Sequence, residues 1–214
     1  MADITIRTAE ARDAEFLSWL ILTAGRAHVR KGILEVILGM PEDQCLHFLR
    51  LLSATVVPHF FHHSCYLVAD VDRMPRAGLG GYDPNISGNS ALFQALPEVF
   101  QRLGGGSPSM SQHGAPPRIL NCIPEPVEGA WMIDSVAAVP EFRRQGIVSK
   151  LLEAVMKRGR EKGFRHAQVN IYIGNTSAQR LYEKHGFAIL DEMRDPYFEA
   201  EIGSPGMARM LREL

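Results

Sequence analysis

The feature that most constrains the fold is a buried strand followed at once by a tight loop and an amphipathic helix. Trp131 to Val139 is a mostly apolar run typical of a strand, Pro140 ends it, and Ile147 to Lys162 has helical spacing up to Gly163. A strand that enters a helix through a tight loop brings free backbone N–H groups and the positive end of the helix dipole to one point. This segment therefore predicts a phosphate-binding site within an α/β fold.

The loop between this strand and helix is basic and contains one glycine. Gly146 lies beside Arg143 and Arg144, and Lys150 follows in the first turn of the predicted helix. These cations add positive charge at the place where the backbone already favours an anion. For Arg144, a direct phosphate contact and a solvated surface charge are equally compatible with the sequence.

A second strand and helix follow the first pair. Ala167 to Ile173 is rich in β-branched residues, and Thr176 and Gln179 have the spacing of a capping box. The helix that they open should end at Gly186, with Phe187 packing on its last turn. Its apolar face carries Ala178, Leu181 and Tyr182.

The rest of the chain alternates helical and strand patterns in an order that favours a mostly antiparallel sheet flanked by helices. Alternation in the Cys65–Val71 and Ala77–Tyr82 segments predicts a hairpin, with its turn at residues 72–76. The other predicted elements are a strand at Ile4–Arg7, helices after Asp13, over Ile33–Leu38 and from Pro41, and a final strand pair at Ala188–Met193 and Ala208–Leu211. The fold class is therefore α/β (α+β), with a mixed, mostly antiparallel twisted central sheet.

One stretch, residues 83–129, interrupts this regular pattern. After a predicted helix at Ala91–Leu103 it contains Gly104-Gly105-Gly106-Ser107-Pro108 and further prolines, which favours an exposed insertion or lid before the phosphate-binding strand. A chain of 214 residues is small for two enzyme-sized domains. We expect a single domain over residues 1–214, with 83–129 as its insertion.

Composition excludes several classes of function. A formal net charge of −1 without a basic stripe disfavours nucleic-acid binding. The sequence lacks the roughly 20 consecutive apolar residues of a membrane span, and Met1–Arg12 lacks the pattern of a signal peptide, so we expect a cytoplasmic protein. Three widely spaced cysteines favour reduced thiols. His59, His62 and His63 have a metal-like spacing but no acidic or cysteine companion, which favours a structural cluster and no metal.

Two motifs resemble those of a known superfamily. The segment from Asp134 to Ile147, DSVAAVPEFRRQGI, resembles the acetyl-CoA-binding motif of the GNAT superfamily of N-acetyltransferases, and NTSAQRLYEKHGF, residues 175–187, resembles its second motif. The resemblance implies a GNAT-like fold, acetyl-CoA as cosubstrate, and direct attack of a primary amine on the thioester in a ternary complex. Two residues depart from the family pattern: Val148 stands where glycine or alanine is usual, and Arg144 where glycine is frequent.

The resemblance also implies roles for individual residues. The strand preceding the loop would hold the pantetheine arm, and an N–H there would face the thioester oxygen. Tyr182 matches the tyrosine that commonly protonates the departing sulfur, and Asn175 either contacts the pantetheine amides or caps its helix. The implied acetyl-CoA contacts are Val136, Ala137, Ala138, Arg143, Arg144, Gln145, Gly146, Ile147, Val148, Ser149, Asn175, Ala178 and Tyr182.

The acceptor amine needs a base, because a lysine-like amine of pKa about 10 is mostly protonated at neutral pH. Asp134 is the candidate: it stands two residues before Val136 and should share its face of the strand, although a satisfied buried carboxylate is the alternative. Tyr172 and Tyr197 are weaker acceptor-site candidates. Because the insertion feeds into the start of this strand, we also expect it to shape the acceptor pocket.

Acceptor identity stays open at this point. The superfamily acts on small-molecule and peptide amines, and the fold does not select among them. Two rival functions are a module that binds acyl-CoA without catalysis and an enzyme that uses a longer acyl donor. The sequence is also compatible with assembly into a homodimer.

Overall fold

Seven strands form one sheet in the computed structural model, which describes residues 4–105 and 117–214. The strands are β1 (Ile4–Thr8), β2 (Tyr66–Val71), β3 (Met74–Tyr82), β4 (Ala130–Ala138), β5 (His166–Tyr172), β6 (Ala188–Arg194) and β7 (Gly206–Glu213). The helices are α1 (Ala14–Arg26), α2 (Ile33–Leu38), α3 (Glu42–Leu52), α4 (Pro84–Ser87), α5 (Asn89–Arg102), α6 (Ile147–Glu161), α7 (Thr176–Lys184) and α8 (Pro196–Ile202).

The strand order is β1-β2-β3-β4-β5-β7-β6, and β4 with β5 is the parallel pair among antiparallel neighbours. The predicted mixed, mostly antiparallel sheet is confirmed. The hairpin turn is shorter than expected, since β3 begins at Met74 and leaves Asp72 and Arg73, both with positive φ, to make the turn. The helices α4 and α8 are the elements that the sequence patterns did not predict.

The parallel ladder between β4 and β5 is short. Residues Ala130–Ile133 pair with His166–Val169, and no further pairing joins the two strands, although β4 continues to Ala138 and β5 to Tyr172. The carboxyl-terminal halves of the two strands therefore lack each other's hydrogen bonds. We call the space between residues 134–138 of β4 and residues 170–172 of β5 the β4–β5 gap.

A bulge in β4 lies at the start of this gap. Gly80 pairs with Asp134 and Gly78 with Ala137, so β4 carries one more residue than β3 over this stretch, and Ser135 has φ of 51°. An extra residue reverses the alternation of side chains that follows it.

Helices cover both faces of the sheet. On what we call the α6 face, α6 and α7 pack over a core that includes Trp131, Ile133, Val136 and Ala138 of β4. On the α1 face, α1, α3 and α5 pack over a second core that includes Tyr66, Val68 and Ala137.

The bulge separates two residues that the strand pattern had put together. Ile133 and Val136 both contact the α6-face core, so the alternation slips by one residue between them and Asp134 points to the α1 face. The expectation that Asp134 and Val136 share a face is therefore wrong, because it assumed an unbroken two-residue period.

Helix α6 is held by a continuous apolar stripe. Ile147, Leu151, Leu152, Val155 and Met156 are all buried, at the spacing that places side chains on one side of a helix. Each such side chain contributes roughly 1.5–3 kcal/mol on burial. The stripe fixes the first turn of α6 against the end of β4.

The described parts of the 83–129 insertion are packed into the fold. Ala95 and Val99 of α5 are fully buried, and Ile119 and Cys122, in a short 3-10 helix at Arg118–Cys122, contribute to a third cluster with Phe198. The prediction of an exposed stretch is wrong for these parts. The predicted Gly106-Ser107-Pro108 and Pro116 lie outside the described residues.

Within residues 4–105 and 117–214, no helix is long and apolar enough to cross a bilayer.

Candidate active site

The loop between β4 and α6 has a conformation that depends on one glycine. A 3-10 turn at Pro140–Phe142 leaves the strand, and the Nε of Arg143 donates to the Ala138 oxygen at 3.0 Å, which ties the loop to the strand end. Arg144 and Gly146 both have positive φ, at 60° and 77°. A side chain at position 146 would meet no atom within 4 Å, so the φ angle, rather than space, favours glycine there.

This loop presents a row of free donors. Lys150 is the first residue of α6 whose N–H forms a hydrogen bond, which it donates to the Gly146 oxygen at 3.2 Å. The N–H groups of residues 144–149 make no hydrogen bond with any residue in the described part of the chain. Six such donors at the positive end of a helix form an anion cradle. We call residues 143–149 the cradle.

The side chains of the cradle point in different directions. Arg143, Arg144 and Gln145 are exposed, and the Gln145 amide donates to the Glu141 oxygen at 2.8 Å. Val148 packs against the α6-face core, so its branched side chain is partly buried. The Oγ of Ser149 lies 3.0 Å from the Nε2 of His185 at the end of α7.

Helix α7 begins one residue earlier than the capping-box spacing indicated. Asn175 is the N-cap, and its Oδ1 accepts from the Ala178 N–H at 3.2 Å. The prediction of a Thr176–Gln179 box is therefore wrong, because the asparagine before it competes more strongly for the cap position. The Asn175 amide nitrogen makes no hydrogen bond within the described residues, so a pantetheine contact stays a prediction.

Tyr182 lies in the α6-face core. It is 4% exposed, its ring packs edge-on against Phe187 with centroids 5.7 Å apart, and its hydroxyl forms no hydrogen bond with a described residue. Burial raises the pKa of its phenol above the usual value, and the Asp134 carboxyl adds to the shift. The phenol is therefore a proton donor across the whole neutral range.

Asp134 lies at the bulge on the other face. Its Oδ1 accepts from the Ser135 N–H at 2.6 Å, and burial raises the pKa of the carboxyl despite that hydrogen bond. A carboxyl with a raised pKa is a better match to a base that works near neutrality. The β4–β5 gap thus separates a buried phenol on one face from a carboxyl on the other.

The two remaining tyrosine candidates have different surroundings. The Tyr172 hydroxyl donates to the Gly25 oxygen at 2.7 Å and accepts from the Ile33 N–H at 3.1 Å, so it ties both ends of the α1–α2 connection to β5. Burial raises the pKa of Tyr172 to about 12. Tyr197 is exposed on α8, where the Arg118 guanidinium lies 5.1 Å from its ring centre. The structure brings Tyr172, but not Tyr197, to the strands of the gap.

Two members of the histidine cluster, His59 and His62, are buried in the fold. The Nδ1 of His59 accepts from the Phe61 N–H at 3.1 Å and its Nε2 lies 3.2 Å from the Thr55 hydroxyl. Burial lowers the pKa of His59 and of His62 to about 4. Among residues 4–105 and 117–214, no group of three or more His, Cys, Asp or Glu side chains is arranged to hold a metal ion.

The sequence reasoning missed two tyrosines beside Asp134. Tyr66 pairs with Gly80 and Gly80 with Asp134, so the three residues lie in a row across β2, β3 and β4. Tyr82 is on the same face, at the end of β3. The sequence feature that could have pointed to these tyrosines is the glycine-rich β3, because glycines in a strand indicate that another group packs closely against it.

Comparison with known proteins bears on the two motifs. Residues 116–187 match the sequence model of the acetyltransferase (GNAT) family. Over these residues the chain is similar to GNAT-family acetyltransferases. No curated protein matches its sequence.

Solved structures share the GNAT fold over nearly the whole chain. An N-acetyltransferase from Staphylococcus aureus Mu50 has a TM-score of 0.68 and 20% identity, covering 97% of this chain and 99% of that chain. The ribosomal-protein-S18-alanine N-acetyltransferase from Escherichia coli has a TM-score of 0.55 and 14% identity, covering 99% and 94%. N-acetylglutamate synthase from Neisseria gonorrhoeae, complexed with coenzyme A and N-acetyl-glutamate, has a TM-score of 0.53 and 13% identity, covering 100% of this chain and 36% of that chain.

Proposed function

We propose that this protein transfers the acetyl group of acetyl-CoA to a primary amine by direct attack in a ternary complex. The observation that carries the proposal is the β4–β5 gap, with the cradle at its end, Asp134 on its α1 face and Tyr182 on its α6 face. A substrate that spans the sheet through this gap would meet a base on one side and an acid on the other.

The cradle fits the phosphates of coenzyme A. Its six free N–H groups can bind an anion without displacing an internal hydrogen bond, and Arg143, Arg144 and Lys150 add charge. The backbone of Val136 to Ala138 is not paired with β5, so its β5-facing groups are available for the pantetheine amides, with an N–H there as the donor to the thioester oxygen, and Asn175 can add its amide. Bound acetyl-CoA would supply an activated acyl group.

Asp134 would act as the base and Tyr182 as the acid. Asp134 takes a proton from the ammonium form of the acceptor, which leaves a nitrogen lone pair to form the new bond to the acyl carbon. As the carbon–sulfur bond breaks, Tyr182 gives its proton to the departing thiolate, and the amide nitrogen releases its surplus proton to the solvent. The products are the acetylated amine and the free thiol.

The acceptor would enter from the α1 face. Gln168 and Asn170 of β5 bind residues 124–127 through hydrogen bonds of 2.7–3.2 Å, so the end of the 83–129 insertion lies along this face next to the gap. We propose that residues 1–214 form one catalytic domain in which this segment shapes the acceptor pocket. The similar structures include enzymes named for the alanine of a ribosomal protein and for N-acetylglutamate, which supports a small-molecule or peptide amine as the proposed acceptor.

The test is a screen of an amine library for acetyl-CoA-dependent release of thiol, repeated with propionyl-CoA and succinyl-CoA. Acetyl-CoA should give the highest kcat/KM, and Asp134→Asn and Tyr182→Phe should each lower it. Binding of acetyl-CoA with no thiol release for any amine would instead support a non-catalytic acyl-CoA module. A preference for a longer donor would support the other rival function.

A further inference from the structure

Tyr66 carries a buried hydroxyl that the fold does not satisfy. The residue is fully buried on the α1 face, and its hydroxyl has no hydrogen-bond partner in the described structure. Leaving a buried polar group without a partner costs free energy, so such groups are rare in native proteins. A phenylalanine would fill the same space without that cost.

The register of the sheet directs this ring toward the gap. Tyr66 and Asp134 flank Gly80 from either side, on β2 and β4. A Cβ at Gly80 would lie 3.4 Å from the Tyr66 Cζ and 3.4 Å from the Asp134 backbone oxygen. These are van der Waals distances, so the ring lies across β3 at Gly80, which has no side chain to obstruct it.

Two polar groups of the bulge act on the Tyr66 hydroxyl. Burial raises the pKa of Tyr66, Asp134 raises it further and the Ser135 side chain opposes this shift, although Ser135 is not in hydrogen-bonding geometry with the hydroxyl. The Ser135 N–H already donates to Oδ1 of Asp134. Oδ2 of Asp134 has no hydrogen bond with a described residue and is open to a second donor.

The other ionisable groups around Asp134 do not supply that donor. Three further phenols feel its charge, from β3, β5 and α7: Tyr82, Tyr172 and Tyr182. The Tyr172 hydroxyl already bonds to the α1–α2 connection, and Tyr182 lies on the opposite face. Tyr82 pairs with Met132, two residues along β4 from Asp134. Helix α1, which packs over β4, has two ionisable residues: Glu15 is exposed, and Arg26 pairs with Glu35 and Glu42.

We propose that Tyr66 is a positioning residue whose hydroxyl donates a hydrogen bond to the Asp134 carboxylate once that group is ionised. This inference rests on the proposed role of Asp134 as the base. The hydrogen bond fixes the orientation of the carboxylate toward the acceptor and favours its ionised form.

The test is the pH dependence of kcat/KM for wild type, Tyr66→Phe and the matched control Tyr82→Phe. Loss of a donor to the ionised form makes ionisation harder, so Tyr66→Phe should move the acid limb to higher pH by about one unit, equivalent to about a tenfold loss of rate on that limb. The KM for acetyl-CoA should not change. Tyr82→Phe should leave the acid limb in place.

A purely structural role predicts a different pattern. If the hydroxyl is only an unsatisfied group, Tyr66→Phe raises Tm and leaves the acid limb where it is, and the proposal is overturned. An equal shift in Tyr82→Phe also overturns it.

Two further measurements separate this inference from the proposed function. If Asp134→Asn keeps the wild-type acid limb, Asp134 is not the base. If Asp134→Asn loses the acid limb but Tyr66→Phe leaves it at the wild-type pH, only the inference about Tyr66 is overturned. A ¹³C NMR titration of the Asp134 carboxyl needs no acceptor and should show the same upward shift in Tyr66→Phe. An unchanged titration overturns the inference even if no amine is found.

Discussion

The Nε2 of His185 lies 3.0 Å from the Oγ of Ser149, and this contact joins the end of α7 to the first turn of α6. Ser149 supplies the last free N–H of the cradle, so the hydrogen bond fixes one edge of the proposed phosphate site from outside it. His185 belongs to the second motif segment and Ser149 follows the first by two residues, yet neither sequence pattern indicates that they meet.

The His185–Ser149 contact should therefore affect cofactor affinity more than catalysis. We expect His185→Ala to weaken acetyl-CoA binding about fivefold to tenfold, as for the loss of about 1 kcal/mol from one hydrogen bond, with little change in kcat. Isothermal titration calorimetry measures the Kd. His47→Ala, which removes a histidine from α3 far from the cradle, is the control. An unchanged Kd in His185→Ala would show that the contact does not support the cradle.

The left-handed backbone of Gly146 should be needed for both stability and binding. Gly146→Ala forces a Cβ into φ of 77°, which costs roughly 1–2 kcal/mol, and we expect acetyl-CoA affinity to fall about tenfold. Gly163→Ala is a matched control, because Gly163 has φ of 86° just beyond the other end of α6 and open space around it. The control should lose similar stability in urea unfolding but keep its Kd. Equal loss of affinity in both variants would contradict a local role for Gly146.

Tyr182→Phe should lower kcat by roughly 100- to 10,000-fold and change the KM for acetyl-CoA much less, as expected for lost proton transfer. Its hydroxyl makes no hydrogen bond with a described residue, so Tm should not fall. Because burial raises the pKa of the phenol, wild type should show no loss of rate from ionisation of Tyr182 below about pH 10. Steady-state kinetics with fixed amine and varied acetyl-CoA measure both constants. An unaltered kcat would exclude Tyr182 as the acid.

The buried histidines should make the fold acid-sensitive. The pKa of His59 and of His62 falls from 6.5 to about 4 on folding, so the folded state binds fewer protons than the unfolded state between these values. Each contributes stability that is fully present above pH 6.5 and is lost as the pH falls toward 4, by at most about 3 kcal/mol. Urea unfolding of wild type and His59→Asn at pH 7 and pH 5 measures the difference. Equal losses in both proteins over this interval would contradict the role of His59.

Local patterns in the sequence predict most of the fold. The apolar stripe of α6, the β-branched run of β5 and the terminal glycines each depend on neighbours within a few residues, and the structure contains the elements that they predict. The resemblance adds the order of these elements, and the structure confirms that order.

Features set by pairing between distant strands could not be predicted in this way. The bulge at Ser135 exists because β4 has one residue more than β3 between two paired positions. The residue pattern of either strand alone does not indicate this difference. The approach of Tyr66 to Asp134 needs the registers of two strand pairs at once. The side of the sheet to which Asp134 points is therefore a property of the assembled sheet.

The four-residue ladder between β4 and β5 has a consequence for how the protein unfolds. It makes the sheet two smaller sheets, β1–β4 and β5–β7, held by one short seam and by the helices that cross it. A molecule that forms hydrogen bonds with both strands beyond these four residues replaces the interstrand hydrogen bonds that β4 and β5 do not make there. Bound coenzyme A would then link the two halves of the sheet. Without coenzyme A the halves could unfold separately, whereas with it bound they would unfold as one cooperative unit.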